Sequence, residues 1–209
     1  MRTTAKICGL SSAAMLDAAL QGGASHVGFV FFDRSPRNIL PDEAAGLATR
    51  VPDHVARVGV FVNPDDETIA RAISAISAIQ LHQTAPDRVA AIRARFGRDT
   101  WAAVAVRTRA DLDVAQDYAG AADRLLYDAK TPDDSALPGG MGLRFDWALL
   151  EGFRHPLPWA LSGGLDAENV AEAIARTGAK LVDVSSGVES APGVKDMDKI
   201  AAFLKAVRT

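Results

Sequence analysis

Cysteine is nearly absent from this chain: Cys8 stands alone among 209 residues. An intramolecular disulfide is therefore impossible, which fits a reducing compartment and singles out one thiol to follow. An excess of positive charge is absent too. Lys and Arg number 23 against 26 Asp and Glu, a formal net charge of −3. That argues against a general nucleic-acid binder, whose surface is broadly basic, but not against a local cationic pocket. No stretch approaches the ~18 apolar residues of a membrane helix. Arg2 and Lys6 faintly suggest a signal peptide, but Ser11, Ser12, Asp17 and Gln21 break any apolar segment after them. The expected setting is cytoplasmic, without membrane or nucleic-acid partners. The four histidines, His26, His54, His82 and His155, are widely spaced and form no metal-ligand pattern. Gly139-Gly140-Met141-Gly142 lacks the spacing of a dinucleotide loop, and no Gly-x-Ser-x-Gly elbow occurs. Neither a metal nor a cofactor is expected.

What is present is an ordinary globular composition, 48% hydrophobic and 23% charged. The chain is long enough to bury roughly 70% of its extended surface without staples. Short β-branched or aromatic runs alternate with helical periodicity. Thr3–Cys8 reads as a strand, and Ser11 or Ser12 caps the helix that follows. Val27-Gly28-Phe29-Val30-Phe31 is apolar throughout, as in a parallel strand covered on both faces. Pro41-Asp42-Glu43 opens a helix, and Asn63-Pro64-Asp65-Asp66-Glu67 opens another. Further strands are read at 58–62, 78–82, 101–106, 124–127, 158–161 and 180–184. Helices are read at 86–96, from Thr108 to about Tyr118, and at 146–153, 167–176 and 196–207. Residues 128–142 form a long polar, glycine-rich loop. Eight strands and eight helical segments, at about 26 residues each, predict an α/β fold. A closed (β/α)8 TIM barrel spanning 1–209 as a single domain fits better than an open doubly wound sheet, which commonly has five or six strands.

Barrel chemistry sits at the C-terminal ends of the strands. Those ends carry Cys8 with Gly9, the segment 33–38, Asn63, His82, Arg107, Asp128, Ser162-Gly163-Gly164 and Ser185-Ser186-Gly187. The last two turns are small enough to bring backbone N–H groups close to an anion, the place where barrels often hold phosphate. The alternative is that these glycines only allow tight turns. Cys8 reads either as a small buried hydrophobe or as a reactive thiol. A thiol is only about 3% ionised at pH 7 at its reference value, so a base there needs positive charge nearby. Lys6 shares its strand face but lies deeper in the barrel, and does not obviously supply that charge. Asp128 either caps the long loop or acts on a ligand. His82 and Arg37 each have an ordinary structural reading as well. Asp183 lies in an apolar run, where a carboxylate needs partners.

In order and spacing, these segments resemble the phosphoribosylanthranilate isomerases of tryptophan biosynthesis. The resemblance runs end to end, through Lys6-Ile7-Cys8-Gly9, Gly28-Phe29-Val30-Phe31, Ser35-Pro36-Arg37 and Val58-Gly59-Val60-Phe61. Gln80-Leu81-His82, Gly139-Gly140, Phe145-Asp146-Trp147 and Gly163-Gly164-Leu165 continue it. Val182-Asp183-Val184-Ser185-Ser186-Gly187-Val188-Glu189 and Pro192-Gly193-Val194-Lys195-Asp196 are the most specific. It implies a (β/α)8 barrel that isomerises N-(5-phosphoribosyl)anthranilate without cofactor or metal. Cys8 would be the general base and Asp128 the general acid, with Arg37 on the anthranilate carboxylate. The turns around Gly164 and Ser186-Gly187 would hold the phosphate. Gly163, Ser185, His82 and Asp183 complete the expected substrate-binding set. The chain departs from the family pattern at Ser162, where alanine is commoner, at Met141, where a small polar residue is frequent, and at Gln83, where glycine is usual. The alternatives are another phosphosugar isomerase or epimerase on the same barrel, a dual-substrate isomerase, or a non-catalytic phosphate-binding barrel. The epimerase would call for metal ligands at the strand ends. The dual-substrate enzyme would call for a second phosphate site. The sequence leaves open whether the chain is a monomer or a homodimer.

Overall fold

A strand that is apolar on both faces is stable only with cover on both sides, and eight such strands set the architecture. The computed structural model describes residues 2–132, 135, 137 and 139–208. The strands are β1 (Thr4–Cys8), β2 (His26–Phe31), β3 (Ala56–Val62), β4 (Ala78–His82), β5 (Asp99–Val106), β6 (Arg124–Ala129), β7 (Trp159–Leu161) and β8 (Leu181–Val184). They close in sequence order into a barrel, β8 pairing with β1. The pairings are parallel throughout. The helices are α1 (Ala13–Gln21), α2 (Pro41–Ala48), α3 (Asp66–Ala72), α4 (Pro86–Phe96), α5 (Arg109–Asp113), α6 (Val170–Thr177) and α7 (Met197–Ala206). The (β/α)8 barrel expected from the sequence is therefore the fold.

Two large regions of packing and one small cluster of Cys8, Val30 and Val60 make up the core. The larger lies between the barrel and its helices and holds Phe29, Phe61, Ile79 and Phe203. The second plugs the barrel floor with Val58, Ala78, Trp101, Leu126, Ala160 and Leu181. Trp101 is fully buried, and its indole N–H donates to Asp99 at 2.7 Å. Fully burying a large apolar side chain stabilises by roughly 1.5–3 kcal/mol, so the floor is a solid base. Above it the interior turns polar: Lys6, Gln80, His82, Asp128 and Asp183 are all buried. An apolar floor with charges stacked above it directs the chemistry to one end.

The local differences from the sequence reading have identifiable causes. The segment 146–153 contains a 3-10 turn, Trp147–Leu150, in place of a full helix. Asp146 caps it by accepting from the Ala148 amide, and Glu151 is already extended. Likewise the helix read from Thr108 to Tyr118 is α5 followed by a 3-10 turn, Val114–Tyr118. Helix α3 is capped by Asp65, which accepts from the Thr68 amide at 2.8 Å; Asn63 instead takes a left-handed conformation ahead of the helix. The loop at 128–142 lies partly outside the described residues. Two short strands went unread: β9 (Glu189–Ala191) and β10 (Val194–Lys195), which pair antiparallel. The turn between them is Pro192-Gly193, with Gly193 at φ 80°, a pair suited to a tight turn.

Gln83, directly after β4, is also left-handed, at φ 51°. This is where the family resemblance expects glycine. Side chains other than glycine carry a cost of about 1–2 kcal/mol there, and glycine loses about 0.4–1 kcal/mol through the unfolded chain. Gln83→Gly is therefore expected to stabilise by up to about 1 kcal/mol, and Gln83→Ala to give no such gain. Thermal unfolding of both variants checks this. Equal midpoints would mean that the backbone at Gln83 is not strained.

Candidate active site

Residues of seven strands or the turns that directly follow them, β1–β4 and β6–β8, line a cavity that opens at the C-terminal end of the barrel. Cys8, Arg37, His82, Asp128, Gly163, Gly164, Asp183, Ser185 and Ser186 line it. Gly187 is set back from the wall and packs on the backbone of Leu165 and Asp166. A side chain there would collide with that backbone, so Gly187 serves the close packing of two turns.

The register explains why the charged groups meet. Lys6 lies beside Asp183 in the β1–β8 ladder, and their side chains form an ion pair of 2.9 Å. Cys8 pairs in register with Gly28. A methyl group on Gly28 would lie 2.9 Å from Cys8 Sγ and 3.2 Å from Lys6 Cε. The missing side chain thus leaves room for thiol and lysine together. Burial pushes the Cys8 thiol above its usual value, while the Lys6 ammonium works in the opposite direction. Lys6 does, then, supply the positive charge that the sequence reading did not find in it. Residues alternating on a strand share a face, and here the deeper one reaches up to the shallower.

Asp128 is the penultimate residue of β6, three strands round the barrel from β1. It is 7% exposed, and its Oδ1 accepts from the Ala129 amide at 2.9 Å. Burial, reinforced by the negative charge of Asp183, pushes its carboxyl up to about 7. His82 is pushed down to about 4 by burial and the Lys6 charge, so it is neutral at pH 7. Its Nε2 lies 2.9 Å from the Gln80 amide nitrogen. With Gln80 donating, the imidazole proton sits on Nδ1.

Arg37 is held rather than free. Its Nε and Nη2 donate to the two oxygens of Glu189 at 2.7 and 2.8 Å, and Nη2 also donates to the Gly140 carbonyl at 3.0 Å. Among the described residues Nη1 has no hydrogen-bond partner. Lys195 Nζ donates to Glu189 at 2.7 Å and to the Ser185 carbonyl at 3.0 Å. The β9–β10 hairpin thus returns Lys195 to the mouth of the barrel. Burial would push Glu189 up, but the bonds from Arg37 and Lys195 prevail and hold its carboxyl below the usual range. Glu189, Lys195 and Gln80 had no role in the sequence reading. Their signals were present: Glu189 and Lys195 flank the Pro192-Gly193 turn, and Gln80 alternates with His82.

The turn after β7 is built for close approach. Gly163 and Gly164 have φ of 91° and 61°, and a methyl on Gly163 would lie 2.7 Å from the Ala129 nitrogen. Asn169 donates to the Gly164 carbonyl at 3.0 Å, turning that oxygen away from a ligand. Ser185 is tied down, its hydroxyl donating to the Cys8 carbonyl at 3.2 Å. Among the described residues no cluster of three His, Cys, Asp or Glu side chains is placed to hold a metal ion. No helix among them is long and apolar enough to cross a membrane.

A buried carboxyl that keeps its proton near neutrality serves proton transfer better than passive binding. The class that fold and site define is a (β/α)8-barrel enzyme. Comparison with known proteins narrows this. Residues 5–206 match the family model of N-(5'phosphoribosyl)anthranilate (PRA) isomerase. The chain is 55% identical to the N-(5'-phosphoribosyl)anthranilate isomerase of Zymomonas mobilis subsp. pomaceae, over 100% of this chain and 99% of the relative. It is similar to the crystal structure of phosphoribosyl anthranilate isomerase from Thermotoga maritima, with a TM-score of 0.86, 36% identity and 98% of each chain covered. A solved phosphoribosyl anthranilate isomerase in complex with reduced 1-(o-carboxyphenylamino)-1-deoxyribulose 5-phosphate matches with a TM-score of 0.85 and 35% identity, again over 98% of each chain. This chain belongs to the PRA isomerase family.

Proposed function

We propose that the chain, as one domain over 1–209, converts N-(5-phosphoribosyl)anthranilate to 1-(2-carboxyphenylamino)-1-deoxyribulose 5-phosphate in the cytoplasm. This is the third step of tryptophan biosynthesis. The observation that carries the reading is Asp128, a buried carboxyl pushed up to about 7 in a cavity it shares with the Cys8 thiol. Asp128 gives its proton to the ribose ring oxygen as the C1–O bond breaks, and the anthranilate nitrogen forms a Schiff base with C1. The Cys8 thiolate then removes the proton from C2, giving an enolamine. Protonation of C1 and loss of the enol proton yield the ketose and reset both groups. Arg37 receives the anthranilate carboxylate on its remaining Nη1 side, and its bond to Glu189 aligns it beforehand. Gly163, Gly164 and Ser186 receive the phosphate, whose binding energy positions the reacting carbons. His82, as a neutral donor, and Asp183 complete the sugar's surroundings.

The test is direct. Freshly made N-(5-phosphoribosyl)anthranilate is added to the purified protein with a chelator present, and loss of anthranilate fluorescence is followed alongside product by chromatography. Rapid conversion supports the reading. A folded protein that binds the reduced product analogue without converting substrate would sink it.

The pH profile follows from the two shifts. The working form needs the thiolate of Cys8 and the acid form of Asp128 together. Below pH 7 both are protonated, so each added pH unit raises the thiolate fraction tenfold. Above about 7 Asp128 loses its proton and cancels that gain. Beyond the raised thiol range the thiolate is saturated and only the loss of acid remains. The expected kcat/KM rises to about pH 7, levels off and falls in strong alkali. Cys8→Ala is expected to lose at least about 10²-fold in kcat. A flat profile together with an active Cys8→Ala would exclude the acid–base assignment.

A further inference from the structure

The polar layer of the barrel has a direction. Lys6 and Asp183 form its central pair, at 2.9 Å, with 0% and 4% of their surfaces exposed. The two ends of the pair look different ways. The lysine stem and Cys8 Sγ crowd the same empty Cβ position on Gly28, so the ammonium lies beside the thiol. On the far side, Ser162 donates to Asp183 Oδ2 at 3.4 Å and also reaches the Asp128 carboxyl. The Asp183 carboxylate therefore lies toward the acid.

We propose that the Lys6–Asp183 pair is a positioning device for proton transfer, its ammonium end favouring the thiolate of Cys8 and its carboxylate end favouring the acid form of Asp128. The proposal rests on the reading of Cys8 as base and Asp128 as acid. A neutral pair has almost no net field at long range, but at contact distance each end acts on its own neighbour. For Cys8 the influence of Lys6 exceeds that of Asp183, and for Asp128 the order is reversed. Burial raises the proton affinity of both groups; a pair oriented this way lowers that of the thiol and raises that of the carboxyl, and so draws the two together. Both groups must be in opposite protonation states for turnover, so the active fraction rises. The other charged group that bears on Cys8 is Lys195, from β10, itself engaged by Glu189. His82, from β4, faces the site uncharged at neutral pH.

The single cysteine makes the test clean. The pH dependence of Cys8 alkylation by iodoacetamide reads the thiolate without turnover, and a carbon-13 titration of the aspartate carboxyls reads Asp128. Lys6→Met alone leaves Asp183 buried without a partner and puts folding at risk; Lys6→Met/Asp183→Asn removes both charges at once. In the folded double variant, alkylation near pH 7 is expected to slow at least about tenfold, the effect of losing one adjacent charge. The Asp128 carboxyl is expected to titrate at lower pH than in the parent. A folded double variant with both titrations unchanged would overturn the proposal and reduce the pair to a structural bond. Neither readout requires catalysis, so that result stays distinct from failure of the acid–base assignment, which an active Cys8→Ala would show.

Discussion

Replacing Asp128 with asparagine is expected to cost about 10²–10⁴-fold in kcat and, in the same molecule, to make the fold more stable at pH 8. The first effect is loss of the proton donor. The second follows from linkage. The folded protein holds the Asp128 proton up to about pH 7, against 3.8 for an ordinary aspartate. Between those values the native state binds more protons than the unfolded chain, so this group makes stability fall as pH rises. Above about pH 7 the full penalty is present, at most about 4 kcal/mol for a shift of this size. The asparagine variant has no such penalty, and its side-chain oxygen can still accept from the Ala129 amide. The stability gap between Asp128→Asn and the parent should thus be small near pH 4 and widen by about 2–3 kcal/mol between pH 5 and pH 8. Urea unfolding at those pH values measures it. A gap that does not change with pH would show that Asp128 carries no raised affinity for its proton.

The same coupling of site and fold explains what the sequence could and could not show. The barrel was legible because the strands are short apolar runs and the turns carry caps or prolines; among the residues at the strand ends, the family resemblance then singled out Cys8 and Asp128. Periodicity placed Lys6 on the face of Cys8 and one step deeper, but did not show how far its side chain reaches. Its side chain is long enough to span the two-residue step to Cys8, and the contact needs the absent side chain of Gly28 on the neighbouring strand. A pairing across strands far apart in sequence, Lys6 with Asp183, depends on barrel closure, which no local pattern encodes. The 3-10 turns at 114–118 and 147–150 were read as helix because one turn of either has the same apolar spacing. The family resemblance implied Arg37 as a cation for the anthranilate carboxylate, but the carboxylate it meets first is Glu189, from a hairpin whose only signal was Pro192-Gly193.

Glu189→Ala is expected to destabilise the protein by about 3–5 kcal/mol at pH 7, the usual result of removing one partner from a buried ion pair. The site is more exposed to this than most. Glu189 is 8% exposed, and two cations that are themselves buried, Arg37 at 6% and Lys195 at 3%, both converge on it. Without the carboxylate they face each other across an uncompensated space. Glu189→Gln tests charge apart from volume, since it fills the space but cannot balance two positive groups. The carboxyl of Glu189 is held below its ordinary 4.5. Its stabilisation is therefore fully present above that value and lost as pH falls through the folded one. The deficit of either variant should shrink in acid, because the parent then loses the same bonds. Arg37 would also lose two of the three bonds that fix its guanidinium, keeping the one to the Gly140 carbonyl. KM should accordingly rise at least about tenfold, a loss of roughly 1.4 kcal/mol in substrate positioning, with a smaller change in kcat. Unfolding curves at pH 7 and pH 4, with steady-state kinetics on the same samples, give both answers. A Glu189→Gln protein as stable as the parent at pH 7 and with its KM unchanged would mean that Arg37 is oriented by the strand and loop backbone alone.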